Sequence, residues 1–111
     1  MERRQFARIP VNLQLKFKSF EALENLLEGA ALDISPGGMF IRSRQVKPLG
    51  TVVEIELPVP GGEPALVRGV VRSIRYQQGE PFGMGIEFEG LKDPARGVIL
   101  HLANKRGPDR G

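Results

Sequence analysis

The sequence predicts a mainly β domain, a small barrel or sandwich finished by a C-terminal helix. Three observations predict it. Residues 11–17 and 51–57 alternate apolar and polar side chains with a period of two, the signature of a strand with one buried face. Turn chemistry recurs between short apolar runs at the spacing of a compact all-β fold. Near the end of the chain, Asp93-Pro94 offers an N-cap and a first-turn proline. Val98, Ile99, Leu102 and Ala103 follow on one face of a helix.

Taken in order, Val11, Leu13, Leu15 and Phe17 alternate with Asn12, Gln14 and Lys16 to give the first strand. Residues 19–28 change period. Phe20, Leu23, Leu26 and Leu27 share one side of a helix, Glu21, Glu24 and Glu28 lie mostly off it, Ser19 is a candidate N-cap and Gly29 a stop. A short helical insert is therefore expected near 19–28. Residues 30–34 form an apolar run broken by Ser35-Pro36-Gly37-Gly38, and residues 39–43 form the next strand. Pro48-Leu49-Gly50 marks a loop. Thr51, Val53, Ile55 and Leu57 then share one strand face against Val52, Glu54 and Glu56. The prolines and glycines of 58–64 preclude regular structure. Residues 65–76 and 82–88 give the last strands, and Gly83-Met84-Gly85 inside the final one marks a bulge or a close backbone approach.

Composition narrows the function. The 111 residues suit one domain, and a hydrophobic fraction of 41% suits one modest core. The absence of cysteine excludes a disulfide framework, a thiolate metal site and a cysteine nucleophile. His101, the single histidine, sits in the expected helix beside Leu100 and Leu102, with no acidic neighbour to make it a general base. No run approaches the ~20 apolar residues of a membrane-spanning helix. The polar N-terminus does not read as a signal peptide, so a cytoplasmic location is expected. Sixteen Lys and Arg against 13 Asp and Glu give a net charge of +3, which favours anionic partners without choosing among them.

Two short segments carry chemistry. Arg3, Arg4 and Arg8 lie just before the first strand, and Arg4 and Arg8 have the spacing R-x-x-x-R. Asp33, Ser35 and Gly38 give D-x-S-x-x-G where a strand runs into a turn. Guanidinium groups are planar, forked donors that suit phosphate oxygens and the O6/N7 edge of guanine, and their faces stack on purines. A carboxylate complements the opposite guanine edge, whose ring N–H and amino group are donors. Ser35 adds a small hydroxyl, and Gly38 permits close approach. Together they suit a ligand containing both guanine and phosphate. Taken singly, the first motif arises often by chance, and the second reads equally as a turn in which Asp33 and Ser35 bond local backbone.

With both motifs in this order, 25 positions from Arg8 to Asp33, the chain resembles the PilZ domain family. Ile9-Pro10 after the second motif arginine, Met39-Phe40-Ile41 after the glycine and Gly85-Ile86-Glu87-Phe88 in the last strand extend the resemblance along nearly the whole chain. The resemblance implies a six-stranded antiparallel β-barrel with a C-terminal helix. It also implies a binding domain and not an enzyme, whose ligand is cyclic di-GMP, often taken as an intercalated dimer, with no further cofactor and no metal. By the same resemblance Arg4 and Arg8 engage phosphates and guanine. Asp33 recognises guanine, Ser35 and Gly38 line that surface, and Arg3 is a third arginine contact. Arg72 or Arg75 could add a stacking face from a barrel strand. The expected organisation is a flexible arginine strap over 1–10, the barrel and helix over 11–104 and a disordered basic tail over 105–111. Ligand would order the strap, and the domain would signal in trans to another protein. Two alternatives remain: a nucleotide-independent protein adaptor, and a basic barrel for single-stranded nucleic acid. The latter needs exposed aromatic platforms, which this chain, with six Phe and one Tyr, is short of.

Overall fold

The computed structural model describes residues 8–105. Six strands follow one another: β1 (Ile9–Ser19), β2 (Leu27–Ser35), β3 (Gly38–Arg42), β4 (Val52–Leu57), β5 (Ala65–Gln77) and β6 (Glu80–Phe88), then helix α1 (Ala95–Lys105). All pairings are antiparallel, and the order β1-β2-β3-β6-β5-β4 closes on itself because β4 also pairs with β1. Closure leaves no sheet edge running the length of the barrel.

The expected alternation fills the interior. Phe17 of β1, Val53, Ile55 and Leu57 of β4, Met39 and Ile41 of β3, and Met84 and Ile86 of β6 are buried, while Lys16, Glu54 and Glu56 face outward. In α1, Ala95 and Ile99 are buried, and Val98 and Leu102 pack half-buried on the same core. The side chain of Ala103, expected on that face, is outside the described set. The helix touches β2 and β5, which stand on opposite walls of the barrel, so it lies across one mouth and seals it. The helix begins one residue later than the sequence suggests. The Pro94 carbonyl accepts from Val98 N–H at 3.1 Å, which makes Pro94 the N-cap in place of Asp93.

The expected helical insert at 19–28 is absent. β1 continues to Ser19, which pairs with Val53, and Phe20 N–H donates to the Val52 carbonyl at 2.8 Å. β2 begins at Leu27 opposite Phe17 and claims the second half of the segment. Only seven residues, 20–26, remain between the strands. Phe20, Leu23 and Leu26 face outward with no element packed over them, and so short a helix without a packing surface does not hold. Ser19 does not cap anything: its N–H donates to the Glu24 carboxylate at 2.9 Å. β1 also starts two residues earlier than expected, so Ile9 and Pro10 belong to the barrel. The rest of the arginine strap and the tail beyond 105 lie outside the described residues. The largest unforeseen feature is the β5–β6 ribbon, which extends past the ends of β4 and β3 to a turn at Gln78-Gly79. Both turn residues have positive φ, 53° and 81°, the geometry that a tight two-residue hairpin loop demands.

Candidate functional site

Asp33 owes its outward position to a bulge. Ala31 points into the core, and strict alternation would send Asp33 there too. Between β2 and β3, however, Ala31 pairs with Ile41 and Asp33 with Phe40, leaving Leu32 as an extra residue on β2. Ile34 thereby takes the next inward place and is fully buried, while Asp33 is left half-exposed on the outer wall. On the other side of β2, the β1 register also shifts between Pro10 and Leu13, and Pro10 stands opposite Asp33. That register delivers the residue before β1, Arg8, to the carboxylate. Arg8 Nη1 donates to Asp33 Oδ1 at 2.6 Å. Two motifs 25 residues apart in sequence thus close into one clasp. With side chains 40% and 32% exposed, the pair contributes less than about 1 kcal/mol to stability.

Ser35 and Gly38 have a different task. Ser35 is buried. Its hydroxyl accepts from Gly37 N–H at 3.1 Å and lies 3.5 Å from the Gly38 carbonyl, which braces the β2–β3 turn from within. Gly38 is required by its neighbour strand. A Cβ there would stand 2.1 Å from the Ile86 carbonyl oxygen of β6. Both residues form the turn that follows Asp33, and neither offers its side chain to the outer wall. Arg3 and Arg4, the remaining expected contacts, lie outside the described residues.

Phe40 completes the wall. Met39 and Ile41 point inward, so Phe40 points out beside Asp33, yet it is 7% exposed. Its ring leans over Gly83, where a Cβ would come within 2.5 Å of Cζ, and it packs against Phe82 with centroids 5.8 Å apart. The Arg75 guanidinium lies over the ring at 5.2 Å. The glycine pair in β6 therefore marks a close approach: Gly83 admits the Phe40 ring, and Gly85 admits the Ser73 hydroxyl. The two arginines that the sequence leaves undivided are separated by their partners. Arg72, the extra residue of a β5 bulge, is held by Glu87 at 2.7 Å, whereas Arg75 faces the Asp33 side of the wall. Phe40 is missed by the sequence reading because an aromatic between two core residues reads as core. Its single usable signal is its odd place in the alternation.

Among the described residues, two larger concavities lie elsewhere. A groove of about 500 Å³ runs past Glu54, Arg68, Glu89 and Lys92, and a second of about 700 Å³ lies between Arg42, Arg44 and the β5–β6 ribbon. Neither is lined by Arg8 or Asp33, and their mixed charges select no ligand, so the chemistry of the clasp outweighs their size. His101 is exposed on α1. Among the described residues no group of three or more His, Cys, Asp or Glu could hold a metal, and no helix is long and apolar enough to cross a membrane.

Fold and clasp together define a small helix-capped β-barrel module with an arginine–carboxylate site on its outer wall. The chain belongs to the PilZ domain family, whose model matches residues 2–105. Comparison with curated proteins finds no significant match. Among solved structures, the inhibitor of motility MotI/DgrA of Bacillus subtilis is similar at a TM-score of 0.73 and 19% identity, covering 96% of this chain and 52% of that one. This chain therefore spans about half the length of that protein. The PilZ domain of YcgR from Escherichia coli, solved with c-di-GMP, matches at a TM-score of 0.70 and 17% identity, covering 95% and 92%. The K. pneumonia MrkH–c-di-GMP complex matches at 0.71 and 11%, covering 95% and 52%. At these identities the likeness is one of fold.

Proposed function

We propose that this domain is a cyclic di-GMP receptor that binds the dinucleotide on the outer wall around Asp33 and passes the signal in trans to a protein partner. The observation that carries the reading is the 2.6 Å contact between Arg8 and Asp33, which joins the two motifs in one place. Asp33 accepts from the ring N–H and amino group of guanine. Arg8, released from Asp33, turns to the O6/N7 edge or to a phosphate, and Arg3 and Arg4 neutralise phosphate charge as residues 3–8 close over the ligand. Arg75, already placed over the Phe40 ring, offers a guanidinium to a purine. Ser35 and Gly38 support the site through the turn. Two structural relatives solved with c-di-GMP support the choice of ligand.

The competing reading is a nucleotide-independent adaptor, and one observation favours it: Arg8 and Asp33 already satisfy each other. Calorimetric titration with cyclic di-GMP, and with cyclic di-AMP as control, separates the two. Binding of cyclic di-GMP alone, lost in both Arg8→Ala and Asp33→Ala, supports the receptor. Adenine lacks the two donors that Asp33 needs, so equal binding of both dinucleotides removes Asp33 from recognition. No binding by the unmodified chain leaves the adaptor.

A further inference from the structure

The outer wall carries a cation that neither motif supplies. β3 is regular, so Phe40 and Arg42 share its outward face while Met39 and Ile41 are buried. Arg42 is exposed and stands in register between Ala30 of β2 and Gly83 of β6. Gly83 pairs in turn with Arg75 of β5. Arg42 and Arg75 thus flank one glycine, about 10 Å apart across two strand spacings. The Phe40 ring leans over that glycine, towards β6, and leaves the β2 side of the wall to Arg42.

The charges around Arg42 leave it unmatched. It makes no ion pair among the described residues, its partners in register are Ala30 and Gly83, and beyond it on the chain comes Arg44. The strands of this wall, β1, β2, β3, β5 and β6, hold four acids, and three of them are answered locally. Asp33 is held by Arg8, Glu87 by Arg72, and Glu28 stands opposite Lys16. In the loop 20–26, at the far end of the barrel from α1, Glu24 is taken by Lys47. Glu80 remains, beside the turn of the β5–β6 ribbon, where Arg42 and Arg44 both edge the same groove. With Arg75 also unpaired among the described residues, the face beyond Asp33 is net positive after every acid on its strands is counted.

The geometry points to Arg42 as a further contact for the dinucleotide, made to the phosphate that leaves the bound guanine on the β3 side. Arg42 in this role presupposes the receptor reading and adds to it a residue outside both motifs. Two residues along β3 and one strand over place its Cα about 8 Å from that of Asp33. That is too far to compete for the carboxylate, which Arg8 holds, and near enough for a long side chain to meet the sugar-phosphate of a base seated on Asp33. The demand is electrostatic. A guanine on Asp33 brings two phosphodiester charges beside a carboxylate, and the arginines of residues 3–8 offset them from the β1 side only. Arg42 supplies the opposing charge from the other side of Asp33. A phosphate oxygen accepts from an ammonium as well as from a guanidinium, whereas a guanine O6/N7 edge needs the forked donor.

The test is calorimetric titration of the full chain with cyclic di-GMP at low salt, comparing the unmodified protein with Arg42→Ala, Arg42→Lys, Arg44→Ala and Asp33→Ala. Arg42→Ala should bind about tenfold more weakly and Arg42→Lys within about threefold of the unmodified chain. Arg44→Ala removes the same charge one step farther from Asp33 and should stay within about twofold. Equal losses in Arg42→Ala and Arg44→Ala would make Arg42 part of the general field and overturn the contact. A lysine variant as weak as the alanine variant would overturn the assignment to phosphate. Affinity of Arg42→Ala within twofold of the unmodified chain, with binding abolished in Asp33→Ala, would overturn the proposal and leave the receptor reading standing. No binding by the unmodified chain would remove both.

Discussion

Replacing Gly38 by alanine tests whether the glycine of the second motif serves the fold or the ligand. The added Cβ would meet the Ile86 carbonyl oxygen at 2.1 Å and its carbon at 3.2 Å. An ordinary contact needs a little over 3 Å, so β3 and β6 must part by about 1 Å. That stretch carries the Gly38–Glu87 and Met39–Ile86 pairs, and beside it Phe88 N–H donates to the Gly37 carbonyl at 3.0 Å. Overpacking costs about 1–3 kcal/mol and a weakened ladder bond about 1 more, so a loss near 3 kcal/mol is expected. For a domain of this size that lowers the melting temperature by roughly 10–20 °C. Gly37→Ala is the internal control, since its Cβ meets nothing nearer than the Ser35 hydroxyl at 3.8 Å and its stability should change by less than about 0.5 kcal/mol. Urea and thermal unfolding followed by circular dichroism give both values, and titration with cyclic di-GMP well below the melting temperature gives the ligand side. Equal stability of the two variants, with binding lost only in Gly38→Ala, would refute the reasoning and make Gly38 a ligand contact.

The other predictions concern the same wall and the far loop. Ser35→Ala removes the acceptor for Gly37 N–H and should cost about 1–2 kcal/mol in chemical unfolding, because that donor is left part-buried without a partner. Arg75→Ala should weaken cyclic di-GMP binding about five- to tenfold in calorimetry. Arg72→Ala, already committed to Glu87, should leave it within twofold, and the reverse order would assign the stacking face to the wrong arginine. In the far loop, donation from Ser19 N–H, and next from Lys47, lowers the Glu24 carboxyl below its ordinary 4.5. A depressed folded pKa contributes stability that is present above 4.5 and lost as pH falls through the folded value. The melting-temperature gap between the unmodified chain and Glu24→Gln should therefore hold near neutrality and close below pH 4.5. A gap that stays constant down to pH 3 contradicts the brace.

The barrel was legible because burial imposes a period. Val53, Ile55 and Leu57 could be placed on one face of β4, and Ile99 with Val98 and Leu102 on one face of α1, since each side chain either meets the core or does not. The same logic misread residues 19–28. Phe20, Leu23, Leu26 and Leu27 repeat as a buried helix face does, but only Leu27 enters the barrel, and its pairing with Phe17 forces a strand. Apolar periodicity records which side chains share a side; it cannot record whether that side turns to the core or to solvent. The bulge at Leu32 was illegible for another reason. Residues 30–34 are apolar throughout except Asp33, so they carry no alternation from which a slipped register could be read. Only the two neighbours of β2, which pair Asp33 with Pro10 and Phe40, define it.

The juxtaposition of Arg8 with Asp33 was foreshadowed by the two motifs, but their different structural roles were not. Arg8 and Asp33 lie on the wall and touch each other, whereas Ser35 and Gly38 lie in the turn that ends β2 and fix what comes next. These two roles leave different thermodynamic traces. The clasp is worth little to the fold, so Arg8→Ala should change affinity and leave stability nearly as it was. If Ser35 and Gly38 serve the proposed ligand only by holding the strand end that carries Asp33, their substitutions should move stability and affinity together. A plot of affinity loss against stability loss across the four motif positions would then separate into two lines. Arg8 and Asp33 would fall on the steep one and Ser35 and Gly38 on the shallow one. Four points on a single line would mean that motif spacing, and not the turn, is what the ligand reads.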